Sequence, residues 1–166
     1  MEDNAQRRVL TIGHSNHPVE RLVDLLGRFA VQVVVDTRSV PHSRFAAQFD
    51  MEPLRKCLVQ AGVQYVYLGR ELGGRPPAPE FYDSEGRVLY SKVAETPIFR
   101  QGIERLEAGI RQFTVAMLCA EENPTACHRR LLVGRVLMQR GFSVEHIRAD
   151  GRLQTEADLA ALDDPK

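Results

Sequence analysis

Hydrophobic positions along this chain fall into two recurring patterns: short β-branched runs, and amphipathic stretches whose apolar residues recur every three or four positions. In "RRVLTIGHS", Val9 to Ile12 reads as a strand stopped at Gly13. In "PVERLVDLLGRFA", Val19, Leu22, Val23, Leu25 and Leu26 lie at helical spacing, with Pro18 suited to the first turn. "VQVVVDTRS" is a nearly continuous apolar run ending at Asp36, the pattern of a strand covered on both faces. "DMEPLRKCLVQAG" predicts a helix with Asp50 as N-cap, Pro53 near the first turn and Gly62 as the stop. "VQYVYLG" is a third strand. The pattern then breaks from Gly73 to Thr96, which reads as a long loop excursion. "PIFRQGIERLEAGIRQ" resumes a helix, "FTVAMLCA" is a fourth strand, "TACHRRLLVGRVLMQRG" a helix with a Gly stop, and "FSVEHI" a fifth strand. The acidic tail from Arg148 suggests a short terminal helix. There is no internal repeat and no low-complexity segment.

Strand and helix alternate with short links, which predicts an α/β fold: a Rossmann-like three-layer sandwich with a mostly parallel five-stranded sheet, in one domain over residues 1–166. A flattened or incomplete barrel fits the same order of elements. The strand order is left open.

Composition narrows the function classes. With 22 basic and 22 acidic side chains the formal charge is zero, so no overall field draws in nucleic acid or an anionic membrane, and any attraction for anions must be local. Three cysteines, an odd number, suggest free thiols in a reducing compartment. The apolar runs are too short to span a bilayer, and Met1 to Arg8 is polar with no h-region, so the expectation is a cytoplasmic protein with no membrane partner.

In parallel sheets ligands bind beyond the carboxyl ends of the strands, and there this sequence concentrates its polar chemistry. The first strand is followed by His14 and Ser15, the second by Asp36, Arg38, Ser39, His42, Ser43 and Arg44, and the third by Glu71, Gly73, Gly74 and Arg75. Cys119, Glu121 and Glu122 follow the fourth, before the Cys127-His128-Arg129 turn, and His146 ends the fifth. The motifs "TIGHS", "VDTRSVPHSRF", "LGGR" and the paired "CAE" and "CHR", in their order and spacing, resemble the DUF488 family of prokaryotic proteins over about Thr11 to Ile147. The resemblance implies that His14, Ser15, Asp36, Arg38, Ser39, Pro41, Ser43, Arg44, Gly73, Gly74, Cys119, Glu121, Cys127, His128 and Arg129 belong to a shared pattern. It supplies no substrate.

If Thr125 or Asn123 caps the helix after the fourth strand, Cys127, His128 and Arg129 lie in its first turn, where free N–H groups and the helix dipole favour anions. Arg129 and Arg130 oppose that dipole, so something negative is expected nearby: Glu121 and Glu122, or an anionic ligand. Arg38, Arg44 and Arg75 favour the ligand, since a planar guanidinium suits phosphate or carboxylate. The expected function is therefore that of a hydrolase or transferase acting on a small phosphate-bearing ligand, such as a nucleotide or nucleic-acid end. In that reading His14, Asp36 and Glu121 do proton work, and Cys127 is a nucleophile or its neighbour. Ser15, Arg38, Ser39, Ser43, Arg44, Gly73, Gly74, Arg75, His128 and Arg129 bind the ligand.

Each assignment has a plainer counterpart: Ser15 as a helix cap, Asp36 as an Asx turn, the arginines as internal ion pairs, and Cys119 and Cys57 as packing. Two further functions stay open, a non-catalytic anion-binding module and a thiol- or metal-dependent protein built on Cys119 and Cys127. A phosphatase-type loop is disfavoured, because Thr125 stands where its arginine would be. No cofactor or metal is expected. Cys119, Cys127 and His128, with His14 or His146, offer zinc-type donors, but no Cys-x-x-Cys spacing supports them, and adjacent residues on one helix point about 100° apart.

Overall fold

The computed structural model describes residues 7–163. The polar start, Met1 to Gln6, and the last three residues lie outside that range. In chain order the elements are β1 (Arg8–Gly13), α1 (Val19–Arg28), β2 (Val33–Asp36), α2 (Met51–Gln60), β3 (Gln64–Tyr67), α3 (Gly69–Leu72), α4 (Tyr90–Ala94), α5 (Pro97–Gln112), β4 (Val115–Cys119), a π-helical stretch Arg129–Gly134 running into α6 (Arg135–Gln139), β5 (Ser143–Ile147), β6 (Leu153–Thr155) and α7 (Glu156–Asp163). One mixed sheet holds six strands in the order β3-β2-β4-β1-β5-β6, parallel throughout except for β6, which runs antiparallel to β5.

The expected count of five strands is thus one short. The three residues of β6 are too few to show a period, but their turn is legible: Asp150-Gly151 is a hairpin signal, and Gly151 takes the positive φ of 90° that such a turn needs. The excursion is likewise more ordered than its composition suggests. It holds a 3₁₀ turn at Pro79–Phe81, a bridge between Tyr82 and Val88, and α4, each too short for periodicity to reveal.

The β-branched runs form strands whose side chains alternate into two cores, one on each face of the sheet. Leu10, Ile12, Val34, Ala116 and Leu118 pack with Leu22, Leu25 and Leu26 of α1 and Leu54 and Leu58 of α2. Val9, Val33, Val35, Val115 and Met117 pack with Ile103, Leu106 and Ile110 of α5 and Leu137 of α6. Each such leucine or isoleucine contributes about 1.5–3 kcal/mol by leaving water, so these two seams fix which way every strand end points. Thr96 caps α5 by accepting from the Phe99 amide at 3.3 Å, with Pro97 in the first turn. Asp50 precedes α2 as expected, but its carboxylate accepts from the Ser43 amide instead of capping the helix. No helix among the described residues is long and apolar enough to cross a membrane.

Candidate functional site

The strand order decides the site, because β4 is inserted between β1 and β2. Gly13 pairs with Cys119, and Asp36 with Leu118, so His14, Cys119 and Asp36 are carried to neighbouring positions at one edge of the sheet. Two polar clusters form there.

The first is closed. Asp36, fully buried, accepts four hydrogen bonds: from the Arg38 amide (3.0 Å) and Nε (2.9 Å) at one oxygen, and from Arg38 Nη2 (2.8 Å) and the Tyr65 hydroxyl (2.5 Å) at the other. The remaining Arg38 nitrogen, Nη1, donates to His14 Nε2 at 3.2 Å. Since Nε2 accepts, the His14 hydrogen sits on Nδ1 and is donated to the Ser15 carbonyl at 2.7 Å. The ring stacks on Phe49 with centroids 4.6 Å apart, and burial pushes the imidazole below its ordinary pKa. Burial and the bond to Asp36 push the Tyr65 phenol upward. Each member of this cluster is answered by another, the condition under which buried charge is tolerated.

Arg129 belongs to a second closed chain. Its Nε donates to Thr11 Oγ1 at 3.0 Å, and its Nη1 and Nη2 donate to the carbonyls of Glu121 (2.5 Å) and Glu122 (3.0 Å), with none of the residue exposed. Thr11 then gives its own hydrogen to His146 Nδ1 at 2.7 Å, so His146 Nε2–H is left to donate to Glu156 at 2.5 Å. Burial lowers the His146 pKa. The positive group that seemed to oppose the helix dipole is a tie between β1 and the loop after β4.

The other cluster at the sheet edge is open. Cys119 Sγ and Cys127 Sγ stand 3.1 Å apart, and His128 Nδ1 lies 3.6 Å from the first and 3.9 Å from the second. His128 Nε2 faces the Thr37 carbonyl at 3.0 Å and must therefore carry a hydrogen, so that a ring holding this one hydrogen has its Nδ1 lone pair turned to the sulfurs. The helical-wheel objection to joint use of Cys127 and His128 does not apply, because Cys127 precedes the helix: its amide closes a turn onto the Pro124 carbonyl, and His128 is the capping residue of the π-helical stretch. Asn123 Oδ1 accepts from the Thr125 amide, in the turn rather than at the helix start. The hydrogen bond from Cys127 holds the Cys119 thiol down, to about 6, against the opposing effect of burial, with the Arg129 charge assisting, and the same bond pushes Cys127 up to about 12.

The family model described as Domain of unknown function DUF488 matches residues 18–136. This chain belongs to the DUF488 family. No curated protein and no solved structure matches it. The matched span runs from just before α1 into α6, so it takes in Asp36, Arg38, Tyr65 and the Cys119–Cys127–His128 cluster, but neither β1 nor His14 and Ser15 after it.

The other expected residues of this DUF488 chain take mainly structural places. Ser39 Oγ accepts from the Arg75 amide at 2.9 Å, and Ser43 Oγ accepts from the Phe45 amide. Gly73 and Gly74 are needed for close packing within the protein: a Cβ on Gly73 would fall 2.2 Å from Ser39 Oγ, and one on Gly74 would fall 2.7 Å from the His128 ring. Ser15 holds a positive φ of 49° and caps no helix. The side chains of Arg44, Arg75 and Glu121 are exposed. A cavity of about 170 Å³ beside Val66, Leu106 and Phe113 is lined by none of these groups. Sequence reading overlooked Thr11, Thr37 and Tyr65, which orient Arg129, His128 and Asp36. Tyr65 and Tyr67 had a signal, since two tyrosines at a spacing of two place both hydroxyls on one face of β3, whereas the use of the Thr37 carbonyl leaves no trace in side-chain chemistry.

Proposed function

We propose that the protein is thiol-dependent, with Cys119 and Cys127 presenting sulfur to a soft electrophile at the carboxyl edge of a Rossmann-like three-layer frame. One observation carries this reading: two sulfurs and an imidazole nitrogen converge, with distances of 3.1, 3.6 and 3.9 Å among them, and no acid or amine among the described residues is paired to any of the three. A thiolate so placed serves hydrolysis or group transfer, the reaction classes expected from the sequence. The phosphate-bearing ligand is less well supported, because Arg38 and Arg129 spend all three of their guanidinium nitrogens on protein acceptors, which leaves Arg44 and Arg75 to hold an anion.

The test uses a thiol reagent small enough to reach a buried pair. Methyl methanethiolsulfonate transfers its methylthio group to an attacking thiolate and releases methanesulfinate, and peptide mass spectrometry locates the adduct. At neutral pH the folded, reduced chain is expected to be modified at Cys119 well before the half-buried Cys57. Modification of Cys57 first, with Cys119 silent until the chain is denatured, overturns the proposal.

A further inference from the structure

We propose that Cys119, Cys127 and His128 form a three-ligand site for a soft divalent metal ion of the zinc type, leaving a fourth coordination position to a water or substrate. The inference rests on the sulfur-centred reading above and says which electrophile the sulfurs take.

The donor atoms of the three residues all lie within 4.8 Å of one another. Zinc bonds of about 2.3 Å to sulfur and 2.0–2.1 Å to nitrogen, arranged tetrahedrally, require edges of about 3.5 Å between S and N and about 3.8 Å between the two sulfurs. The S···N distances of 3.6 and 3.9 Å are close to that requirement, and the sulfurs at 3.1 Å must move apart by about 0.7 Å. A divalent ion bound there would balance the charge of two thiolate ligands.

The imidazole supplies an independent argument. A histidine that ligates a metal commonly donates its other N–H to a carbonyl or carboxylate, which fixes the tautomer and aims the lone pair. His128 does this with the Thr37 carbonyl. The ring also packs closely on Gly74, where a Cβ would fall 2.7 Å from it, and the following residue is tied by its amide to Ser39. Two loops from different strands therefore hold one ring in the orientation that serves the sulfurs, a supporting shell that packing alone does not require. The donor set also selects the ion, because thiolate and imidazole suit zinc and its neighbours, whereas magnesium, calcium and manganese prefer oxygen.

The experiment titrates the full-length, reduced, chelator-treated chain with cobalt(II) alone under anaerobic conditions, then with zinc. One equivalent of cobalt is expected to give a thiolate-to-cobalt charge-transfer band, and zinc should abolish it. Cys119→Ser, Cys127→Ser and His128→Phe should each weaken cobalt binding by roughly tenfold or more, and Cys57→Ser should leave it unchanged. His128→Phe keeps a ring in the same space, so its circular dichroism and retained methylthiolation at Cys119 separate loss of a ligand from loss of the fold. Absence of the band, or a band that survives His128→Phe and Cys127→Ser together, overturns the metal site. If cobalt fails to bind while Cys119 is still modified ahead of Cys57, the metal inference alone falls. If both fail, the thiol reading falls with it.

Discussion

The Asp36–Arg38–His14 cluster and the Cys119–Cys127–His128 cluster sit at adjacent strand ends and each contains a histidine, buried in the first and half-buried in the second, yet they are built in opposite ways. In the first, donors and acceptors match: Arg38 gives to Asp36 and to His14, and His14 gives to Ser15. In the second, the histidine spends its hydrogen on the backbone of the neighbouring loop, and three electron-pair donors face one another, with the Cys127 thiol donating to Cys119. A closed network holds a fold in register, whereas an open one has capacity for something further. Polar residues gathered at the end of a sheet therefore do not all belong to one site; what separates them is whether their hydrogen-bonding capacity is already used.

Breaking the closed cluster should cost the most. Asp36→Asn removes the charge that answers Arg38 in a fully buried place, and the expected loss is about 3–5 kcal/mol, read as a lower midpoint in urea unfolding. A change under about 1 kcal/mol would mean that the pair is solvated in solution. Gly74→Ala probes the open cluster from its wall. The new methyl must displace the His128 ring, at a cost of about 1–3 kcal/mol, and cobalt affinity should fall along with stability, whereas Asp36→Asn should spare the affinity in the molecules that remain folded.

A smaller effect depends on pH. Burial lowers the His146 pKa in the folded chain below its ordinary 6.5, so between those two values the unfolded chain binds a proton that the folded one does not. Stability from this residue is fully present above pH 6.5 and is lost as pH falls toward the folded value, by up to about 1.4 kcal/mol per pH unit. Unfolding midpoints measured across that window should slope less in His146→Gln than in the parent chain. An equal slope would assign the acid sensitivity to another group. The smallest effect is expected at Arg44, exposed and without a partner among the hydrogen bonds and ion pairs described. Arg44→Ala should change stability by no more than about 0.5 kcal/mol, so a larger loss in a chemical unfolding curve would show that the loop after β2 is more tightly built than it looks.

Much of the fold was legible because its signals are local. The β-branched run before Asp36, the helical spacing of Leu22, Leu25 and Leu26, and the glycine stops at Gly62 and Gly141 each act over a few residues, and each became the element its pattern predicts. What failed to show was short or relational: β6, α4, and the hydrogen-bond partners of the site. Side-chain chemistry marked Arg38 and Arg129 as cations suited to an anion, but whether a guanidinium is free depends on acceptors that lie far away in the chain, such as Thr11 for Arg129. Two objections stood against a metal, the lack of a Cys-x-x-Cys spacing and a helical-wheel argument, and the second lapses because the helical stretch begins two residues after Cys127.

The sequence by itself determined which residues end each strand, and therefore that imidazole, carboxylate, guanidinium and thiol groups collect along a single edge. Only the tertiary structure decided how they are divided. Inserting β4 between β1 and β2 sets Cys119 beside the loops that carry Thr37 and Gly74, and backbone groups there, which no side-chain pattern encodes, turn His128 toward the sulfurs while Arg38 and Arg129 are hydrogen-bonded within the protein. Hydrogen bonds reach only about 3 Å, so their pairing follows from contacts between distant segments and not from the spacing of letters along the chain.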